Sequence, residues 1–337
     1  MIVSVIIPCR NEKLYIESCI EAIFQNEFSS DVNLFVTVID GKSDDGTLEI
    51  IENIQQIFPQ LRIVTNEKQL TPFAFNLGIK SIKADFYQIV GARQIISKNY
   101  IQGGIDKIIE NAEIWCVGGK VENIFINKQS EIISKAMSTS FGMGIGNFRV
   151  INESAFVDTV GTPLYPQHVF EKIGYFDEDL VRNQDDEFNF RVTKSGGKIL
   201  FDAEISLKYY VRASIKGLWR QFFQYGYWKV FVNNKHKAIT TSRQLIPPLF
   251  VLYVLLFGLS FLILPFVFYL SLVPLVLYFL LGIYFSLKLA SKIEEIIQIF
   301  IIFPILHFSY GLGYLAGILD FNFLKKKPNE KQNRLSR

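Results

Sequence analysis

Cysteine is scarce in this chain: there are three residues in 337, Cys9, Cys19 and Cys116, too far apart for a Cys-X-X-Cys pair. That spacing excludes a zinc knuckle or a dithiol redox motif, and the thiols are expected to be reduced and buried. Net charge is nearly absent as well, at +3, so the balance shows neither the basic footprint of a nucleic-acid binder nor an affinity for acidic partners. No secretory signal opens the sequence, because Met1 to Pro8 lacks a basic stretch followed by a long apolar run and a small-residue cleavage site. The soluble part is therefore expected in the cytoplasm.

Apolar residues are abundant. Half of the chain is hydrophobic and mean hydropathy is +0.24, too apolar for an ordinary soluble enzyme and indicative of a part lying in lipid. The excess sits near the C-terminus. Leu245 to Leu287 carries no charged residue, and it exceeds the roughly 20 residues of one membrane span, leaving room for two. Ile296 to Leu319 has the length of one more, interrupted by Pro304, His307 and glycines that permit close helix packing. The expected division is a domain over 1–243, a transmembrane region of two or three spans over 244–324, and a basic tail over 325–337. The positive-inside rule places Lys235 to Arg243 and Lys325 to Arg337 on one side, which three spans do not allow. Prolines at 247, 248, 265 and 274 leave open an interfacial or re-entrant segment.

Residues 1–240 alternate short apolar runs with helix-period segments, the pattern of βα units on a mostly parallel sheet. Val3 to Pro8 reads as the first strand, and Glu12 to Phe28 as a helix with a stripe at Leu14, Ile16, Cys19, Ile20 and Ile23. Leu34 to Asp40 follows as a strand, Thr47 to Phe58 as a helix, Leu61 to Thr65 as a strand, Ala74 to Ser81 as a helix and Phe86 to Val90 as a buried strand. In such sheets ligands bind at the carboxyl ends of the strands. Asp40 closes the second strand, ahead of Gly41, Ser43, Asp44, Asp45, Gly46 and Thr47, where the backbone can approach a ligand. The plainer reading of this stretch is a β-turn with a helix N-cap at Asp45 or Thr47.

The stretches Val3 to Glu12 (VSVIIPCRNE) and Val38 to Thr47 (VIDGKSDDGT) together resemble the opening strand and the nucleobase-binding turn of glycosyltransferase family 2. Asn76-Leu77-Gly78 is similar to that family's nucleotide-side helix, and Phe176-Asp177-Glu178 with Arg182 to Arg191 (RNQDDEFNFR) to its acceptor-side acidic motif. Arg212, the run Arg220 to Lys229 and the run His307 to Gly313 look most like membrane-attached succinoglycan-type glucosyltransferases.

The resemblance implies a GT-A fold, an α/β Rossmann-like sandwich, as the catalytic domain over 1–243. It implies an inverting transfer from a nucleotide-diphosphate sugar, a UDP-hexose first, to a lipid-linked saccharide at the inner membrane, with the catalytic domain cytoplasmic and surface polysaccharide as product. Donor binding is carried onto Pro8, Arg10, Glu12, Asp40, Ser43, Asn76 and Arg93. Asp185 is the expected general base, Asp186 the second choice, and Glu187 orients the helix that follows. The alternative for this acidic turn is charge complementing a helix N-terminus. Arg220, Gln221 and Trp228 are expected at the acceptor and its diphosphate, as phosphate-holding and sugar-stacking groups or as an interfacial helix.

One departure stands out. Family members carry Asp-X-Asp or Asp-X-His after the fourth strand to hold Mg²⁺ or Mn²⁺, whereas this chain has Gly91-Ala92-Arg93. Three explanations are open: Arg93 replaces the metal at the diphosphate, Asp85, Asp158 and Asp186 supply other oxygens, although Asp85 precedes the strand and is expected to point elsewhere, or the domain is a membrane-tethered nucleotide-sugar-binding scaffold. His168 reads as a surface or capping residue, and His307 as functional or bonded to a neighbouring helix. Gly142, Gly144 and Gly146 read as a flexible acceptor-side loop. A nicotinamide-dependent oxidoreductase is disfavoured, because the first strand runs into Pro8 to Glu12 and not into a glycine-rich turn.

Overall fold

The computed structural model describes residues 1–29, 31–144, 151–211, 214–263 and 265–326, with the side chains of 258–267 excepted. Arg212, Gly146 and the basic tail from residue 327 lie outside the described residues. The chain forms two compact units, Met1–Ile124 with Gly146–Tyr210, and Phe125–Ile145 with Val211–Arg337. This division does not coincide with a boundary at 243, because the long helix before that point packs with the C-terminal helices.

The first unit opens with β1 (Ile2–Cys9), α1 (Ile16–Phe24), β2 (Asn33–Asp40), α2 (Thr47–Ile57), β3 (Leu61–Thr65), α3 (Thr71–Ser81) and β4 (Phe86–Ile89). β1 is flanked by β2 and β4, all parallel, with Cys9 level with Asp40 and Ile6 level with Ile89. Its alternation feeds two cores. Val3, Val5 and Ile7 face α1, α2 and a later helix, and Ile6 faces α3. α3 sits so close that a methyl group built on Gly78 would fall on the Ile6 side chain. The strand order β3-β2-β1-β4 means that strands are added on one side of β1 and then on the other. A topological switch point, the crevice where open α/β sheets bind ligands, therefore lies between the carboxyl ends of β1 and β4.

The sheet continues with β5 (Gln94–Ile96), α4 (Tyr100–Glu110) and β6 (Ile114–Phe125), then β7 (Ala155–Phe156), β8 (Leu164–Pro166), α7 (Gln167–Ile173), α8 (Gln184–Lys194) and β9 (Lys198–Val211), after the α5 and α6 described below. β8 pairs antiparallel with β4 and β6, and β9 with β5 and β7, which makes the sheet mixed. Two expectations for helices change. α1 begins at Ile16 and Leu14 is exposed, because residues 11–13 are drawn into contacts with the loop after β2. α3 begins three residues early at Thr71, with Pro72 in its first turn where a missing N–H costs nothing. All three cysteines are buried and outside any disulfide, and burial pushes the Cys19 thiol up to about 12, far from thiolate chemistry.

The second unit holds α5 (Lys128–Met137), α6 (Ser140–Met143), α9 (Ile215–His236), α10 (Ile246–Ile263), α11 (Pro265–Leu289) and α12 (Ile293–Gly317). An Asn127/Ser130 capping box starts α5. α12 and α9 touch through glycine: methyl groups on Gly226 and Gly313 would fall on the carbonyl oxygens of Tyr310 and Phe223. Glu295, buried in the first turn of α12, pairs with Lys128 and Lys135 of α5. His307 lies 2.9 Å from the Tyr278 hydroxyl through Nδ1 and 2.9 Å from the Phe141 carbonyl through Nε2. A carbonyl only accepts, so Nε2 carries a proton and the ring bridges two helices. Among the described residues two helices are long and apolar enough to cross a membrane, Phe268–Leu289 and Ile293–Phe323.

Candidate active site at the sheet switch point

The loops after β1 and β2 are knotted by side chains. Asn11 donates from its backbone to Ser43 Oγ at 2.9 Å and from Nδ2 to Asp44 at 2.8 Å, and its Oδ1 accepts from the Asp44 backbone at 3.0 Å. The Glu12 N–H donates to Thr47 Oγ1 at 2.9 Å. Asp40, buried at the end of β2, accepts from the Ser43 hydroxyl at 2.6 Å and from its N–H at 3.0 Å. Each carboxylate oxygen has a further lone pair for a ligand donor. Gly46, in the left-handed region at φ 94°, is the N-cap of α2, a place expected for Asp45 or Thr47. Asp45 instead accepts from Thr47 and Lys13. Desolvation raises its pKa, but these hydrogen bonds outweigh it and hold the carboxyl below its ordinary value.

Opposite, β4 runs into Gly91-Ala92-Arg93. Arg93 Nε donates to the buried Glu12 carboxylate at 2.6 Å, and its guanidinium lies 5.4 Å from the Tyr15 ring centroid. The pair bridges the switch point, joining the loop after β1 to the loop after β4. Arg10 lines the same edge, its side chain lying along Gly41, while Pro8 pairs with Ile39 in the parallel ladder. Asn11, Lys42, Gln69 and Thr162 all hold positive φ, and they sit on loops at this edge of the sheet, since β8 runs antiparallel to β4. Strain gathered at one edge is a mark of a functional face.

The segment after β4, where the family's metal ligands are expected, does not fit a divalent cation. Gly91 and Ala92 have no ligating side chain, Arg93 is itself a cation, and hard divalent ions require oxygen ligands. Among the described residues no group of three or more His, Cys, Asp or Glu is placed to hold a metal. Asp85 accepts from the Ile2 N–H at 2.8 Å, at the opposite end of the sheet, which removes it as a ligand here.

The acidic turn lies on α8. Asn183, at φ 61°, sets its start, Asp185 is exposed, and Asp185 Oδ1 accepts from the Asp186 N–H at 2.9 Å. Glu187 is buried and pairs twice with Arg191, at 2.9 Å each, while Arg191 also donates to the carbonyls of Ile173 and Tyr175. Asn189 ties α8 to Tyr165 and Thr159, contacts without any motif in the sequence to announce them. Asn76, expected on the donor, is committed elsewhere: its amide bonds the Phe176 backbone in both directions and Glu178 at 2.8 Å. It borders a groove of about 240 Å³ lined by Thr65, Asn66, Lys68, Phe73 and Glu178.

Arg220, Gln221 and Trp228 lie on α9 in the second unit. Gln221 donates to the Tyr225 hydroxyl at 2.8 Å. Trp228 is fully buried against Tyr227 and Phe231, so it is not available to stack on a sugar. Trp219, 40% exposed, is the aromatic that α9 does present. His168 is exposed on α7 beside Trp115, and partial desolvation of its ring, with the Lys172 charge, lowers its pKa.

A nucleotide-sugar-type α/β unit with its polar knot at the switch point defines a GT-A-like glycosyltransferase. The mannosyltransferase PcManGT of Pyrobaculum calidifontis, solved with GDP-Man and Mn²⁺, shares this fold with a TM-score of 0.61 at 13% identity, over 94% of this chain and 87% of that one. The profile of Glycosyl transferase family 2 matches residues 4–174. The dolichyl N-acetyl-alpha-D-glucosaminyl phosphate 3-beta-D-2,3-diacetamido-2,3-dideoxy-beta-D-glucuronosyltransferase of Methanococcus voltae is 33% identical over 231 residues, 66% of this chain and 71% of that protein. Succinoglycan biosynthesis protein ExoA of Rhizobium meliloti is 26% identical over 246 residues, 72% and 73% of the two chains. The chain belongs to glycosyl transferase family 2.

Proposed function

We propose that this glycosyltransferase moves a hexose from a nucleotide-diphosphate sugar, UDP first among the nucleotides, to a lipid-linked glycan, with inversion at the anomeric carbon, in surface polysaccharide assembly. The knot of Asn11, Asp40 and Ser43 with the Glu12–Arg93 bridge carries this reading, because it gathers polar groups at the crevice where such sheets bind ligands. Pro8, Arg10, Glu12, Asp40 and Ser43 surround the nucleoside, and Asn76 acts by holding the segment that borders the neighbouring groove. Residues 1–243 provide the catalytic part, at the cytoplasmic face of the inner membrane.

The acceptor hydroxyl attacks the anomeric carbon opposite the leaving group, the bond from that carbon to the diphosphate oxygen breaks with its electron pair leaving on the phosphate, and the hydroxyl proton passes to Asp185. Asp186 is the second candidate. Arg220 and Gln221 serve a lipid diphosphate. Two apolar helices support multi-pass attachment, and a relative named for a dolichyl-phosphate sugar and another for succinoglycan support a lipid-linked acceptor. Nucleotide release from UDP-hexoses by the detergent-solubilised chain, with and without a membrane lipid extract, tests the reading. Lipid-dependent release is expected, and nucleotide binding without release from any hexose donor would sink it.

A further inference from the structure

We infer that Arg93 stands in for the divalent cation: aimed by Glu12, its guanidinium holds the donor diphosphate, and donor binding needs no metal. The inference rests on the switch-point crevice being the donor site. Its starting point is the mismatch between Gly91-Ala92-Arg93 and any oxygen-ligand set.

Three contacts fix Arg93. Nε is 2.6 Å from Glu12, the guanidinium lies over Tyr15, and the Arg93 carbonyl accepts from the Tyr210 N–H at 3.1 Å. The Nε edge is therefore spent on Glu12. The two Nη groups donate to no described residue, and the side chain keeps 12% of its surface open. A guanidinium carries five N–H donors in a planar fork, so four remain, pre-aimed beside the end of β4. Phosphate oxygens match that fork with parallel charge-assisted hydrogen bonds. Glu12 offsets part of the positive charge, so the gain comes from directed hydrogen bonds held in place and not from a net field. A largely buried ion pair is a weak stabilising device, so toward Arg93 the role of Glu12 is orientation.

The rival role is plain charge balance, with Arg93 only the counter-ion of Glu12. Equilibrium binding of UDP and of GDP to the detergent-solubilised full chain, in EDTA and in excess Mn²⁺, separates the two, with a thermal melt to show that each variant is folded. The wild type is expected to bind one nucleotide equally, within about 2-fold, in both conditions. Arg93→Ala weakens that binding about 10- to 100-fold, and the double variant Glu12→Gln with Arg93→Ala stays weak. The pair Gly91→Asp with Arg93→His turns the site metal-dependent; the neighbour a side chain at 91 meets is the flexible Gln94, so the change is tolerated. Binding by the wild type that vanishes in EDTA overturns the inference, and so does recovery of wild-type affinity in the Glu12/Arg93 double variant. Arg93-dependent binding without any sugar transfer sinks the transferase reading and leaves this one intact. Absence of binding to either nucleotide overturns both.

Discussion

The two compact units are held by different physics. In the first, β-branched side chains fill both faces of a sheet and the loops at its carboxyl edge are tied by hydrogen bonds and an ion pair at fixed distances. In the second, glycines let helix backbones touch, as Gly226 and Gly313 do against Tyr310 and Phe223, and aromatic rings fill the gaps around His307. Directional bonds fix where a proton or phosphate oxygen must go. Shape contacts suit helices that meet in lipid, where the hydrophobic effect gives no drive for helix to meet helix and small residues permit close approach. The first unit should therefore be sensitive to loss of polar groups, and the second to added volume.

The sharpest contrast is Asp185→Asn, which conserves shape and removes a base. Turnover is expected to fall about 10²- to 10⁴-fold while nucleotide affinity and melting temperature hold; near-normal release would remove Asp185 from the mechanism. Next is Glu187→Ala, which strands Arg191. Breaking such a buried pair costs about 3–5 kcal/mol, with the lower end expected because Arg191 keeps the Ile173 and Tyr175 carbonyls, and a denaturant titration reads it. In the second unit Gly313→Leu should cost about 1–3 kcal/mol by overpacking, seen as a lower melting temperature in detergent. An unchanged melt would mean that α9 and α12 do not depend on backbone contact, and the contrast between units would collapse.

Asn76→Ala removes three hydrogen bonds and is expected to cost about 1–3 kcal/mol, with nucleotide affinity falling only as far as the 176–178 segment loosens. The smallest effect is a pH dependence. Asp45 has a depressed pKa in the folded chain, so its contribution is present above the unfolded carboxylate value, about 3.9, and is lost as pH falls through the lower folded value. Asp45 is exposed and screened, so Asp45→Asn should differ slightly from the wild type in melting temperature at neutral pH and converge with it in acid. A gap that widens in acid would reverse the assigned sign.

The first unit is legible up to Val90 because its signals there are local. β3 runs from Leu61 to Thr65 as its short apolar run indicates, and β2 ends on Asp40 before a turn rich in Gly and Asp. Leu14 shows the limit: it fits the helical stripe, yet the contacts that residues 11–13 make with the next loop keep it out of α1. Trp228 shows another, since an aromatic in a basic segment suits an exposed stacking role, and only the packing of the second unit buries it. The Glu12–Arg93 bridge joins residues 81 apart in the chain, and no periodicity reaches that far.

By itself the sequence determined what depends on neighbours along the chain: the strands and helix faces up to Val90, the turn after Asp40, the apolar C-terminal stretch and the missing Asp-X-Asp. Only the tertiary structure decided that Arg93 lies on Glu12 and that Asn76 serves Phe176 and Glu178. Those outcomes follow from strand order, which brings β4 beside β1 after the chain has already built β2 and β3. A side chain's partner is then set by which strand ends meet, a property of the whole sheet that no single segment carries.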